Sequence, residues 1–183
     1  MVSSPNYRDA GRRDLCRGTS EAEDAMTFHL YSVFHLNLAY SAIREDQRHL
    51  VVQQCYWPLL ETIASESWPC GIEFSGWTLE QIIELDPSWV TNLKELISQG
   101  LVEVVGSGYA QVIAPLVPAR VNQENLRLGW KTYEELVGVS PTLALIHEQA
   151  YSAGYAALLA EFGLSGFVMG VEQSTRSPPG VAF

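Results

Sequence analysis

From residue 27 onward, the hydrophobic positions alternate between two periods along the chain. Runs rich in β-branched and aromatic residues predict strands over 27–35, 71–74, 102–105, 142–147 and 166–169. Between these runs, apolar residues spaced three or four positions apart predict helices over 46–65, 79–99, 122–136 and 152–162. Strands that alternate with helices indicate βαβ units, so we expect a mostly parallel sheet with outer helices.

Proline and glycine interrupt the helical patterns at three places. Pro58 lies inside the first predicted helix and should kink or split it, because proline lacks a backbone N–H. Asp86 followed by Pro87 predicts a helix N-cap with proline at the first helical position. Gly100 follows the last apolar residue of that helix, which is where a helix commonly ends.

The two ends of the chain lack this periodicity. Residues 1–25 are polar and charged, so we expect a disordered extension, because such a segment buries too little apolar area to fold. Met26 directly precedes the first predicted strand, and we hypothesise that it is the natural start, which an N-terminal mass of the natural protein would test. Residues 173–183 are polar and proline-rich and predict an irregular tail, which leaves 26–172 as the folded part.

Composition and charge narrow the classes of function. Hydrophobic residues make up 47% of the 183 residues, which is ordinary globular usage and excludes a collagen-like or coiled-coil chain. The formal net charge of −10 argues against nucleic acid and anionic membranes as partners. Three cysteines without regular spacing are typical of free thiols in a reducing compartment, and no run approaches the roughly 20 apolar residues of a membrane span. We therefore expect a cytoplasmic location.

Candidate functional groups follow the predicted strands, because parallel β/α folds place their sites at the carboxyl ends of strands. The polar and aromatic side chains that we expect to contact a ligand there are His35, Asn37, Tyr40, Trp77, Tyr109, His147 and Tyr151. Aromatic rings beside amide and imidazole groups suit a sugar, which has apolar ring faces and polar edges. Two further acids, Glu73 and Glu103, are interpreted from the pattern alone as rim or core acids with hydrogen-bond partners.

Glu148 is the most informative single residue. It ends the apolar run LALIHE, where an acid is costly unless it is paired or functional. We therefore treat Glu148 as a candidate catalytic carboxylate, with a structural ion pair as the ordinary alternative.

Metal and cofactor chemistry is only weakly indicated. The four histidines form no HxH, HxxxH or HExxH spacing, so a zinc site would need His35, His147 and an acid to meet in space. The Gly-Ser-Gly sequence at 106–108 matches neither a phosphate-binding loop nor a serine nucleophile elbow. We therefore expect no metal and no cofactor.

Four segments, in a fixed order and spacing, are similar to the motifs of one enzyme family. They are FHLNLAYS (34–41), the run from 74 to 118, PTLALIHEQAYS (141–152) and AALLAEFGLSGFVMG (156–170). Together they cover about residues 27–172 and resemble glycoside hydrolase family 57, in which the carboxylate that ends strand 4 is the nucleophile.

The resemblance implies an α/β fold with an incomplete (β/α)7-type barrel, related to the polysaccharide deacetylases, of which about five parallel strands are present with outer helices. It also implies that the chain is the N-terminal portion of a retaining α-glucan hydrolase, 4-α-glucanotransferase or branching-type enzyme. Glu148 would be the nucleophile, and His35 would contact the sugar at the first subsite. Glu103 and Tyr109 would support or line the site.

A retaining reaction also needs a second carboxyl group about 5–5.5 Å from the nucleophile. In the family this acid/base is an Asp on a later strand, so we expect the 183-residue chain to be inactive or weakly active by itself. The unclosed sheet edge predicts self-association. Two alternatives stay open: a non-catalytic glycan- or partner-binding module on the same scaffold, and a metal-dependent polysaccharide deacetylase.

Overall fold

The computed structural model describes residues 30–170. The predictions for 1–25, for Met26 and for 173–183 lie outside the described residues, as does the start of the first predicted strand. The strands are β1 (Val33–Leu36), β2 (Cys70–Phe74), β3 (Val102–Gly106), β4 (Leu143–Leu145) and β5 (Gly166–Val168). The helices are α1 (Arg48–Val51), α2 (Trp57–Glu66), α3 (Gly76–Leu85), α4 (Pro87–Ser98), α5 (Ala119–Val137) and α6 (Ala153–Glu161). Within this part of the chain, no helix is long and apolar enough to cross a membrane.

The five strands form one sheet whose order, β1-β2-β3-β4-β5, is the order of the chain. Every neighbouring pair is parallel, and helices flank the sheet as an open half-barrel, which confirms the predicted fold class. In the register of the strands, His35 lies opposite Glu73, and Glu73 lies opposite Val105. A histidine and an acid from neighbouring strands are therefore side by side.

The two faces of the sheet have different surroundings, because side chains alternate along each strand. Leu36, Ile72, Phe74 and Val104 belong to the hydrophobic core that the helices share. The opposite, inner face carries the residues that lie on the same side of the sheet as His35, namely Val33, Gly71, Glu73, Glu103, Val105, Leu143 and Leu145. Polar side chains that could bind a ligand are therefore expected on the inner face, at the carboxyl ends of its strands.

Pro58 divides the first helical region, as predicted. A π-helical turn over Val52–Tyr56 separates α1 from α2, and Pro58 is the second residue of α2. In a regular helix the proline ring clashes with the carbonyl four residues earlier, and proline has no N–H to donate. The wider π turn places the irregularity directly before the proline.

Asp86 separates α3 from α4, as the Asp-Pro pair predicted. Its carboxylate accepts hydrogen bonds from the backbone N–H of Ser88 at 3.1 Å, the indole N–H of Trp57 at 2.7 Å and the Gln53 amide at 2.9 Å. The bond from Trp57 is the main cause that lowers the pKa of Asp86. Gly100, with a φ of 72°, follows the end of α4 and confirms the predicted stop.

β4 is shorter than predicted. It ends at Leu145 instead of His147, since His147–Gln149 forms a tight turn. In this turn Glu148 and Gln149 have φ values of 53° and 55°, which is a left-handed conformation that a strand cannot contain. The prediction was wrong at this end because neither residue is glycine, the usual sequence signal for such a turn.

Candidate functional site

The carboxyl ends of β1, β2 and β4 bring together two histidines and one acid. His35 Nδ1 is hydrogen-bonded to Glu73 Oε2, and His147 Nε2 lies 3.9 Å from Glu73 Oε1. The two imidazole rings are 6.0 Å apart between centroids. Glu73 is fully buried, whereas the His35 side chain is 42% exposed and the His147 side chain 10% exposed. One buried carboxylate therefore faces two imidazoles.

The two histidines respond differently to this environment. The hydrogen bond that His35 donates to Glu73 is the main cause that raises the pKa of His35, and burial partly opposes it. For His147 burial dominates and lowers the pKa, against a smaller opposing effect of the Glu73 charge. A buried carboxylate is costly unless a donor or cation accompanies it, so His35 is the partner that stabilises Glu73.

Glu148 lies at the rim of this cluster. Its side chain is exposed, and its charge contributes to raising the pKa values of both His35 and His147. A left-handed backbone costs about 1–2 kcal/mol at a residue with a side chain, and two such residues follow each other here. Strain of this kind persists where the surrounding structure enforces it, commonly at functional sites.

The loop after β3 reaches across the sheet to His35. Gln111 Nε2 lies 3.1 Å from His35 Nε2, and Gln111 Oε1 accepts a hydrogen bond from Asn37 Nδ2 at 2.8 Å. Asn37 Oδ1 in turn accepts from the backbone N–H of Ala39 at 2.8 Å. The loops that follow β1 and β3 are therefore joined at the site.

Helix α5 holds the loop after β3 in place through three residues spaced by four. The Tyr133 hydroxyl donates to the Phe74 carbonyl at 2.7 Å, at the end of β2, and accepts from the N–H of Ser107 at 3.2 Å. Asn125 accepts from the N–H of Ala110 at 2.7 Å and donates to its carbonyl at 3.0 Å.

The third residue of this helix face is Gly129. A Cβ there would come within 2.6 Å of Gly108 Cα, so the close approach of helix and loop requires glycine. The position of Gln111 therefore depends on packing against α5.

Four predicted aromatic contacts lie in loops or at helix starts near this edge. Trp77 is half-buried, and the Arg48 guanidinium covers its ring at 4.9 Å. Tyr109 donates its hydroxyl to Glu80 on α3 at 2.8 Å.

Tyr151 packs against Phe167 of β5 with 5.8 Å between ring centroids, while Tyr40 is 59% exposed. Trp77, Tyr109 and Tyr151 therefore each have a protein partner, and Tyr40 offers the most accessible ring of the four.

Glu103 lies away from the carboxyl edge. It is the second residue of β3 and pairs in register with Gly71, two positions before Glu73 on the neighbouring strand. Its carboxylate accepts a hydrogen bond from the Tyr31 hydroxyl at 2.7 Å. The structure therefore does not bring Glu103 together with His35, Asn37, His147 and Glu148.

The sequence interpretation missed two members of the cluster. Glu73 was interpreted as an ordinary rim or core acid, although it is the one charged residue of the fully buried strand CGIEF. An acid inside a buried apolar strand is at least as costly as Glu148 at the end of one, so the same sequence signal marks Glu73. Gln111 lies in the segment that follows β3 but carries no comparable signal, because it is five positions beyond the end of the strand and its contact depends on α5.

Within residues 30–170, no group of three or more His, Cys, Asp or Glu side chains has the geometry to hold a metal ion. His35, His147 and an acid do meet, as a zinc site would require, but the acid is hydrogen-bonded to one of the histidines.

Solved structures with the same architecture include two kinds of carbohydrate-active enzyme. The 4-α-glucanotransferase of Thermococcus litoralis superposes with a TM-score of 0.65 at 20% identity, over 76% of this chain and 22% of that chain. A family 4 carbohydrate esterase from Streptomyces lividans gives a TM-score of 0.54 at 11% identity, over 76% of this chain and 62% of that one. At these identities the likeness shows the fold, which is the open β/α barrel type.

The chain belongs to glycosyl hydrolase family 57, whose sequence model matches residues 9–176. An α-amylase of Pyrococcus furiosus is 27% identical over 115 residues, which are 61% of this chain and 17% of the amylase. The chain thus spans about a fifth of the length of the α-amylase and of the glucanotransferase. The resemblance that the four sequence segments carried is confirmed.

Proposed function

We propose that this chain supplies the nucleophile and the first sugar-contacting groups of a retaining enzyme acting on α-glucans, either a hydrolase or a 4-α-glucanotransferase. The observation that carries the proposal is the position of Glu148, an exposed carboxylate on left-handed backbone beside His35 and His147. Membership of the family and the activities in the names of the two relatives support it.

In this proposal the Glu148 carboxylate attacks the anomeric carbon and forms a glycosyl-enzyme, while a second carboxyl group protonates the leaving oxygen. Glu73 does not suit that second role, because it is fully buried and hydrogen-bonded to His35. We assign the acid/base to the Asp on a later strand that the family resemblance implies, to which no acid of this chain corresponds. General acid catalysis contributes about 10²–10⁴-fold, so we expect the 183-residue chain to show no turnover on maltooligosaccharides.

The nucleophile can be tested without the acid. Fluoride leaves without protonation, so an activated 5-fluoro-α-maltosyl fluoride should glycosylate the 183-residue chain. We expect one fluoromaltosyl group on the peptide that contains Glu148, found by peptide mass spectrometry. Glu148→Gln should abolish the label, and Glu161→Gln on α6 is the matched control that should keep it.

Absence of label in a folded chain, or a label that persists in Glu148→Gln, would contradict the nucleophile assignment. Binding of maltooligosaccharides without any label would favour the non-catalytic glycan-binding module. The deacetylase alternative predicts bound zinc and acetate release, and elemental analysis tests it separately.

A further inference from the structure

Both ring nitrogens of His35 have a hydrogen-bond neighbour. Nδ1 faces the Glu73 carboxylate, which only accepts hydrogen bonds when it is ionised. Nε2 faces the side-chain amide of Gln111 at 3.1 Å. A neutral imidazole carries its proton on one nitrogen and a lone pair on the other, so these two neighbours decide which is which.

The orientation of the Gln111 side chain follows from the backbone N–H of Ala39, which can only donate a hydrogen bond. The N–H of Ala39 is a donor, so the Asn37 atom 2.8 Å away must be the oxygen. The other Asn37 terminus is then the NH₂ group, which requires the Gln111 oxygen as its acceptor at 2.8 Å. The NH₂ group of Gln111 is left facing His35 Nε2.

We infer that this relay, from the N–H of Ala39 through Asn37 and Gln111, fixes neutral His35 with its proton on Nδ1 and its lone pair on Nε2. Glu73 requires the same arrangement from the other side of the ring, because Nδ1–H donates to its carboxylate. Asn37, Gln111 and Glu73 are therefore positioning residues that act through His35.

The arrangement defines what kind of ligand group His35 can bind. The only lone pair of neutral His35 is already taken by the Gln111 NH₂ group, so a sugar hydroxyl could bind Nε2 only as a donor that displaces Gln111, and an ether oxygen could not bind there. The identity of this ligand rests on the proposed function, whereas the relay itself involves only protein groups.

The first test measures the tautomer directly in the 183-residue chain. Nitrogen-15 labelling of the four histidines, with His35→Gln to assign the signal, reports which ring nitrogen carries the proton. At a pH high enough that a further rise leaves the nitrogen-15 signals of His35 unchanged, the ring is neutral, and we expect its proton on Nδ1. A proton on Nε2 overturns the inference.

The second test replaces Asn37, whose side chain is hydrogen-bonded to Gln111 and not to His35. In Asn37→Asp both terminal atoms are acceptors, so Gln111 must turn its NH₂ group toward position 37 and its oxygen toward His35. His35 Nε2 must then carry a proton. We expect neutral His35 to bind a further proton at least tenfold more tightly, which raises its pKa by about one unit or more.

A new negative charge raises the pKa of a histidine without any relay, so the double variant Asn37→Asp/Gln111→Met separates the two causes. The charged and titratable groups that face His35 are Glu73 from β2, and His147 and Glu148 from the turn after β4. None of them changes in either variant. We expect less than half of the rise in the pKa of His35 to remain in the double variant, which lacks Gln111. An equal rise in the single and the double variant overturns the relay. Neither test contains a sugar, so its failure is distinct from a failure of the labelling experiment.

Discussion

Two neighbouring residues after β4, Glu148 and Gln149, have a left-handed backbone conformation that is unfavourable for residues with a side chain. Glu148→Gly should remove this cost while adding the backbone entropy that glycine loses on folding, for a net gain of about 0.5–1 kcal/mol in the free energy of unfolding. The same substitution should abolish labelling by the fluoromaltosyl reagent. Urea denaturation and peptide mass spectrometry measure the two effects.

Two further glycine substitutions serve as controls, because they should raise the stability as Glu148→Gly does but should not abolish labelling. Gln149→Gly relieves the same kind of conformation one residue further on, and Ser67→Gly does so at the C-terminal cap of α2. Both should stabilise the chain by a similar amount and leave labelling intact. A loss of stability in Glu148→Gly would show that the left-handed turn is not strained.

The opposite pKa shifts of His35 and His147 predict a stability maximum at about pH 6.5, the unfolded-state pKa of histidine. The pKa of His35 is raised in the folded state, so its stabilisation is complete below about pH 6.5 and is lost as the pH rises through the folded value. The pKa of His147 is lowered, so its stabilisation is present above about pH 6.5 and is lost as the pH falls through the folded value.

Denaturation between about pH 5 and pH 8.5 in two variants separates these contributions. His35→Gln should flatten the alkaline side of the stability profile, and His147→Gln should flatten the acid side. His49→Gln, which removes an exposed imidazole from α1, is the control. If both variants flattened the same side, the assigned directions would be wrong.

At this scale the sequence allowed part of the site to be predicted. The rule that functional groups follow parallel strands selected His35, Asn37, His147 and Glu148, which the structure does bring to one edge. It placed Gln111 among the residues that follow β3 but gave no reason to prefer it, because that side chain reaches His35 only through a loop path that long-range contacts determine. The roles of the site residues in catalysis and sugar binding stay predictions.

Helix α5 packs tightly against the loop after β3 at Gly129, and Gly154 on α6, which has open space around it, provides a matched control. Gly129→Ala should destabilise the chain by about 1–3 kcal/mol, because the new methyl group meets Gly108 and helix and loop must separate. Gly154→Ala on α6 meets nothing within 4 Å and should stabilise by about 0.5–1 kcal/mol. Thermal denaturation of both variants measures the difference.

Gly129→Ala should also weaken the contact between Gln111 and His35, because the loop that carries Gln111 moves with Gly108. The nitrogen-15 signals of His35 would show this as a less uniform tautomer. Unchanged stability in Gly129→Ala would mean that the loop tolerates displacement from α5.

Secondary structure was largely predictable because each element here is specified by its own local pattern. Asp86 and Pro87 mark the junction of α3 and α4 within two residues, and Pro58 marks the start of α2. The error at the end of β4 has a different origin, since Glu148 and Gln149 adopt their conformation through tertiary surroundings that no short window contains.

For the whole molecule, the described sheet ends at β5, whose pairing within residues 30–170 is with β4 alone. Unpaired strand edges template association between chains, so we expect the 183-residue chain to self-associate as its concentration rises. Phe167→Lys on β5 should reduce this, because Phe167 is 38% exposed and a charge there opposes edge pairing. Sedimentation velocity over a range of concentrations measures it.

The control for this prediction is Leu116→Lys, which places the same charge on a side chain that is 77% exposed in the loop before α5. It should leave sedimentation unchanged. A monomer at all concentrations, or an equal effect of both variants, would contradict association through β5.

The strand order has a consequence for how the protein is made. Because each of β2 to β5 pairs with the strand synthesised directly before it, each of these strands finds its template already present when it leaves the ribosome. Within residues 30–170, no strand pairs with a partner encoded beyond the next strand, which shortens the time that the edges of these strands are exposed during translation. The sheet can therefore grow one βα unit at a time in the direction of synthesis.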